Sequence, residues 1–255
     1  MPEAPVPHAA VGGDFEGTWR LYRASLRHAW VPAALLALLW AALLGWLANR
    51  LAAADDLFAL VTQAQALVSA PPFWRVVIAA CCASTLLFCM LIAIIHAVAV
   101  GAPISLHGAC ARALRSFPAA LAAAAVYMAL TTLGTLLFFV PGALLWGMWQ
   151  LWPVVMIAER TGPTLSFARS WTLMRHAWWS ATTLTAVVTV AAVSIPLACN
   201  AMAMTLAVLA GAAAVPAQQV ALLALGTSAA LTAPLLPAAL VAVYLAQLHR
   251  RPPGV

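Results

Sequence analysis

The sequence predicts an all-α, polytopic membrane protein with about six transmembrane helices. Two observations carry that expectation. Of 255 residues, 65% are hydrophobic and only 7% are charged, whereas a soluble domain carries about 25% charged residues. The apolar residues also fall into charge-free runs of membrane length, separated by short Arg-bearing segments. This pattern excludes an ordinary soluble enzyme, a disordered chain and a nucleic-acid-binding domain. The net charge of +6 does not change that, because all twelve basic residues are Arg and they are scattered between apolar runs.

The spans follow in order. Each needs roughly 20 apolar residues to cross about 30 Å of hydrocarbon. Backbone groups in lipid must be paired within the segment, so the runs should be helices. Ala29–Asn49 is a 21-residue uncharged run and predicts span one. Val76–Ile95 has 20 such residues and predicts span two, with the pattern continuing past His96 to Val100. Ser116–Ala158 has 43, which as one helix would reach about 65 Å. Pro141-Gly142 supplies a turn there, giving span three near Phe117–Phe139 and span four near Leu144–Ala158. Ala177–Leu248 is 72 residues without Asp, Glu, Arg or His. It predicts span five at Trp178–Leu197 and span six at about Val220–Gln247. Residues 198–219 read equally as a loop, a surface helix or a re-entrant segment, with Cys199-Asn200 and Gly211–Gln219 as the softer places for a break.

Residues 1–13 read as a flexible N-terminal tail, 14–249 as a single six-span domain, and 250–255 as a C-terminal tail. The first apolar run begins too late and runs too long for a cleavable leader. With both termini inside, ten Arg fall on the cytoplasmic side, and only Arg50 and Arg75, balanced by Asp55 and Asp56, fall outside. Arg without Lys in an Ala-rich background points to a bacterial protein of the inner membrane.

Short basic amphipathic segments precede spans one, three and five, dividing the chain into three units. In the first, Phe15, Trp19, Tyr22 and Leu26 recur at helical spacing, with Arg20, Arg23 and Arg27 on the other side. In the third, Phe167, Trp171, Met174 and Trp178 are opposed by Arg169, Thr172, Arg175 and His176. Arg-His-Ala-Trp occurs at Arg27–Trp30 and again at Arg175–Trp178. The middle copy is weaker: it carries Arg112 and Arg115, and its Pro118–Leu121 repeats Pro32–Leu35 after a small register shift. Such segments lie in the interface, aromatics in the acyl boundary and Arg among anionic headgroups.

Pro141-Gly142, a Trp-rich span, Glu159, Gly162-Pro163 and Ala168–Leu173 form a pattern that resembles uncharacterised YciC-like bacterial membrane proteins. It is also similar to the membrane domain of glycerophosphoryl diester phosphodiesterases. The resemblance implies the six-span plan and, in most such proteins, no assigned activity. In the phosphodiesterases the chemistry belongs to a separate barrel domain with acidic metal ligands. With six carboxylate side chains in all, this chain is not expected to share that activity.

Little else offers chemistry. Cys82, Cys89 and His96 share a helix face, but a seven-residue step rises about 10.5 Å, too far for one metal. They read as core residues, and neither a metal nor a cofactor is expected. Glu159 is placed to pair with Arg169 or Arg175 across a short loop. Gln150, among Trp146, Trp149 and Trp152, should face other helices as a polar link between them. Pro196, Pro234 and Pro237 predict kinks in spans five and six. No Ser-His-Asp set, phosphate-cradling loop, Cys-x-x-Cys or His-Glu-x-x-His motif occurs.

The expectation is a non-enzymatic structural or accessory membrane domain. Its partners would be the bilayer and anionic lipid headgroups, contacted through Trp19, Arg23, Arg27, Arg169, Trp171 and Arg175. The sequence names no protein partner. The alternative is a small permease for a neutral or lipidic substrate, which would need a polar cavity joining Gln150, Asn200, Thr227 and Thr232.

Overall fold

The computed structural model describes residues 14–51, 56–103, 105–137, 139–211 and 214–249. The two predicted tails, Asp55, Arg250 and Arg251 lie outside the described residues. The helices are α1 (Phe15–Leu51), α2 (Leu57–Ser69), α3 (Pro71–Ala99), α4 (Leu106–Leu137), α5 (Phe139–Trp149), α6 (Trp152–Glu159), α7 (Pro163–Met174), α8 (Trp178–Leu209), α9 (Ala214–Thr232) and α10 (Leu235–His249). Among the described residues there is no strand, and six segments are long and apolar enough to cross a bilayer. The protein is an all-α polytopic membrane protein.

Its surface is as apolar as its interior. Phe58, Leu136 and Leu209 are each about four-fifths exposed; a soluble protein rarely leaves such a continuous apolar surface uncovered. The interior is built around α10. Every residue from Pro237 to Gln247 is buried, and α10 touches α1, α3, α6, α7 and α8. Small residues allow close approach elsewhere. A Cβ on Gly45 would meet Leu222 at 3.4 Å, and one on Gly226 would meet Ala41 at 3.9 Å, where α1 crosses α9.

Several boundaries differ from the sequence expectation. The amphipathic segments before spans one and three are not separate helices but the opening turns of α1 and α4. Only the third copy, α7, is separate from its span. The same Arg-His-Ala-Trp string is continuous helix at Arg27–Trp30 and a turn over Arg175–Ala177, so packing rather than local propensity sets the break. An unforeseen helix, α2, occupies the loop after span one, its N-terminus capped by Asp56, which accepts the Ala59 amide at 2.7 Å.

Pro141-Gly142 is not the turn of the second hairpin. Both residues lie in the first turns of α5, where a proline has no helical partner to lose. Gly142 instead lets α5 lie against α4: a Cβ there would stand 2.6 Å from the Thr135 amide. Span four breaks at Gln150-Leu151 into α5 and α6, just before Pro153. Span five continues unbroken through Cys199-Asn200 to Leu209, and Gly211 then turns with φ 77°. Span six begins at α9 and breaks at Ala233-Pro234 before α10.

Breaks and prolines leave backbone groups without helical partners, and at three such places a hydroxyl from another helix reaches them. Pro196 cannot donate to the Ala192 carbonyl one turn before it, and the Thr232 hydroxyl of α9 lies 3.2 Å from that oxygen. At the break in span four, Ser170 of α7 donates to the Met148 carbonyl at 2.9 Å and accepts the Leu151 amide at 3.2 Å. Tyr127 donates to Trp146 at 3.2 Å in the same region. At the break in span six, Tyr22 of α1 donates to Leu231 at 2.8 Å.

Candidate functional site

The residues singled out by sequence fall into three groups. The first is structural. Gln150 is 6% exposed, at the break between α5 and α6. Its carbonyl accepts from Thr185, and its amide reaches Thr182 at 3.5 Å and the Met174 sulfur at 3.9 Å. It ties span four to α7 and α8. Of the residues of the permease alternative, Gln150 is bonded to Thr185, Thr232 to the backbone of α8, Thr227 is exposed with its hydroxyl on Leu223, and Asn200 is half-buried on α8.

The second group clasps α7 to the bundle. Glu159, at the end of α6, stands 3.2 Å from Arg169 Nε, and the same oxygen accepts from Tyr244 of α10 at 3.0 Å. Of the two cations the sequence offers, Arg169 is the partner. Arg175 is exposed and donates to its neighbour His176 at 2.7 Å. Sequence reasoning did not find Tyr244; an aromatic with one polar atom near the end of an uncharged run was its only trace.

The third group is an exposed set of Arg and Trp. On α1, Arg20, Arg23 and Arg27 are exposed beside Phe15, Trp19 and Trp30. Trp19 stacks on Tyr22 at 5.2 Å, and Arg20 lies 3.8 Å from Glu16. On the third copy, Trp171, Arg175 and Trp179 are exposed. Not every aromatic of the predicted stripes faces outward. Phe167 packs on Trp149 at 5.0 Å and Trp152 at 5.9 Å, and Tyr22 is buried. The inward face of each copy needs contact area against its own bundle neighbours, and these two rings supply it.

Placing Arg27 on Arg175 aligns the two copies, and their burial agrees. Thr18, Tyr22 and Ser25 are buried on α1, and Ser166, Ser170 and Leu173 at the matching positions of α7. The caps differ. Asp14 accepts the Gly17 amide at 2.8 Å at the start of α1. The matching residue of α7 is Gly162, so that helix starts without a side-chain cap.

One further feature was not anticipated. Arg112 and Arg115 of α4 and Arg160 after α6 line a single cavity of about 560 Å³. In the sequence all three helped to fix orientation, and Arg112 and Arg115 also marked the middle copy of the repeat; nothing in their spacing places Arg160 beside α4. Among the described residues, no group of three or more His, Cys, Asp or Glu is placed to hold a metal. Cys89 is buried in α3, and Cys82 and His96 are half-buried on the same helix. No family model matches the chain, and neither a curated protein nor a solved structure significantly similar to it was found.

Proposed function

We propose that this protein is a non-enzymatic structural or accessory domain of a bacterial inner membrane, which gathers anionic lipid at its cytoplasmic face. The observation that supports this reading is the pairing of exposed Trp with exposed Arg in both clear copies of the repeat: Arg27 with Trp30, and Arg175 with Trp179. Tryptophan prefers the headgroup level of a bilayer, and each Arg beside an anionic leaflet contributes about 1 kcal/mol of attraction. The positive-inside distribution of Arg supports a cytoplasmic position for these residues. The resemblance to YciC-like proteins agrees with a membrane domain that has no chemistry of its own.

The test uses the intact protein reconstituted in vesicles, with spin-labelled phosphatidylglycerol and spin-labelled phosphatidylcholine as probes. The immobilised fraction should favour phosphatidylglycerol. The preference should shrink as salt is raised and in an R20Q/R23Q/R27Q variant. Equal association of the two lipids with the wild type would overturn the reading.

A further inference from the structure

The cavity between α4 and the α6–α7 loop has the composition of a ligand site. Arg112 and Arg115 line it from α4; Arg160, Thr161 and Gly162 close the other side. Its volume of about 560 Å³ lies within the range of roughly 300–1,000 Å³ for small-molecule sites. The rim is cationic and part of the wall is apolar, with Met156 and Ile157 buried in the core.

Ser116 in its wall bonds the backbone of its own helix, but the three guanidinium groups have no carboxylate partner. The ion pairs among the described residues are Arg20–Glu16 and Arg169–Glu159. Arg112, Arg115 and Arg160 have none, and Glu159, next in sequence to Arg160, is engaged by Arg169 and Tyr244. The Thr161 hydroxyl oxygen is buried and lacks a hydrogen-bond partner. Gly162 lines the cavity and stands where α1 has its capping carboxylate, so the amides at the start of α7 have no side-chain acceptor. A helix start with open amides favours a negative group.

We infer that this cavity binds one phosphate group, carried by a lipid headgroup or by a soluble phosphate ester. Three guanidinium groups, a hydroxyl and a helix start offer more donors than the two oxygens of a carboxylate can accept. A phosphate monoester presents three terminal oxygens, and guanidinium forks match them. The apolar wall suits the uncharged part of the same ligand. This extends the proposed lipid contact from a surface to one stoichiometric site, and the two fail separately: the surface preference rests on the exposed Arg and Trp of α1 and of the third copy, this site on Arg112, Arg115 and Arg160.

Arg160 gives the test its leverage. It holds a left-handed backbone, φ 55° and ψ 39°, at the C-cap of α6. Glycine is the usual residue there, and an L side chain is strained. If Arg160 served stability alone, glycine would replace it at no loss.

The intact protein in detergent is titrated with phosphatidic acid, glycerol 3-phosphate and diacylglycerol, with one-to-one complexes counted by native mass spectrometry. Losing a charge-assisted contact should weaken phosphate binding about tenfold or more in R112Q/R115Q. R160G should also bind more weakly, while its melting temperature holds or rises. R50Q/R75Q, altered outside this site, should bind as the wild type does. Glycerol 3-phosphate binding as tightly as phosphatidic acid would identify a soluble ester as the ligand; binding only of the lipid would identify the headgroup. Equal retention of diacylglycerol, undiminished binding by R112Q/R115Q, or no one-to-one complex with either phosphate compound would overturn the inference.

Discussion

Tyr22 and Ser170 hold the same register in two copies of the repeat, and each donates its hydroxyl to a carbonyl at a break in a different span. Tyr22 reaches Leu231 at 2.8 Å in span six, and Ser170 reaches Met148 at 2.9 Å in span four. The two bonds are not equivalent, because Ser170 also accepts the Leu151 amide. A buried polar group left without a partner costs about 1–3 kcal/mol. S170A orphans two such groups and Y22F one, so S170A should lower thermal stability in detergent more than Y22F. S170T, which keeps the hydroxyl, should recover part of the loss, and S180A, altering an exposed hydroxyl that bonds only the Ala177 carbonyl, should change little.

The α4–α5 contact gives a steric test. A methyl group on Gly142 would collide with the backbone and side chain of Thr135, whereas one on Gly226 would meet only Ala41 at 3.9 Å. Overpacking of this kind costs roughly 1–3 kcal/mol. G142A should therefore lower the melting temperature clearly. G226A should be close to neutral, or slightly stabilising through the better helix propensity of alanine.

Glu159 joins α6, α7 and α10 through one oxygen. E159A removes both the ion pair with Arg169 and the acceptor for Tyr244. The side chains of Glu159 and Arg169 are 26% and 37% exposed, so solvent weakens the pair, and the loss should be about 1–2 kcal/mol. E159Q keeps an acceptor for Tyr244 and should lose less. A double-mutant cycle with R169Q should give a coupling no larger than about 1 kcal/mol.

The Arg distribution predicts orientation. Reporter fusions after Asp56 and after Gly211 should score periplasmic, and fusions after Gly162 and at Val255 cytoplasmic. A periplasmic signal at Val255 would break the six-span arrangement.

The span count was legible because charge-free length is a property of the chain alone, and the bilayer sets the ruler. The ends of helices were not. Pro141-Gly142 looked like a turn and is the foot of a helix packed on Thr135; Pro196 looked like a kink in span five, and α8 continues through it to Leu209 with the Thr232 hydroxyl on the carbonyl it frees. Both outcomes involve a residue on a neighbouring helix, which propensity along one segment does not reveal. Gln150 and Glu159 could be singled out because a lone polar residue in an apolar run must find a partner. Arg112, Arg115 and Arg160 could not be grouped, since each already had a sufficient explanation in setting topology, and only the packing of α4 against α6 brings them to one cavity.

The hydroxyl bonds across breaks have a consequence for biogenesis. A nascent chain is delivered to the membrane in order, yet the break in span four has its partner in Ser170, and Pro196 in span five has its partner in Thr232. Until those later segments arrive, the interrupted helices sit in lipid with open carbonyls. The chain therefore reaches a durable state only once the third unit has docked, and a ribosome stalled before it would leave a product suited to removal by membrane proteases. Tyr22 waits longest of the three: the carbonyl it pairs follows it by 209 residues, so α1 completes its bonding only when α9 arrives.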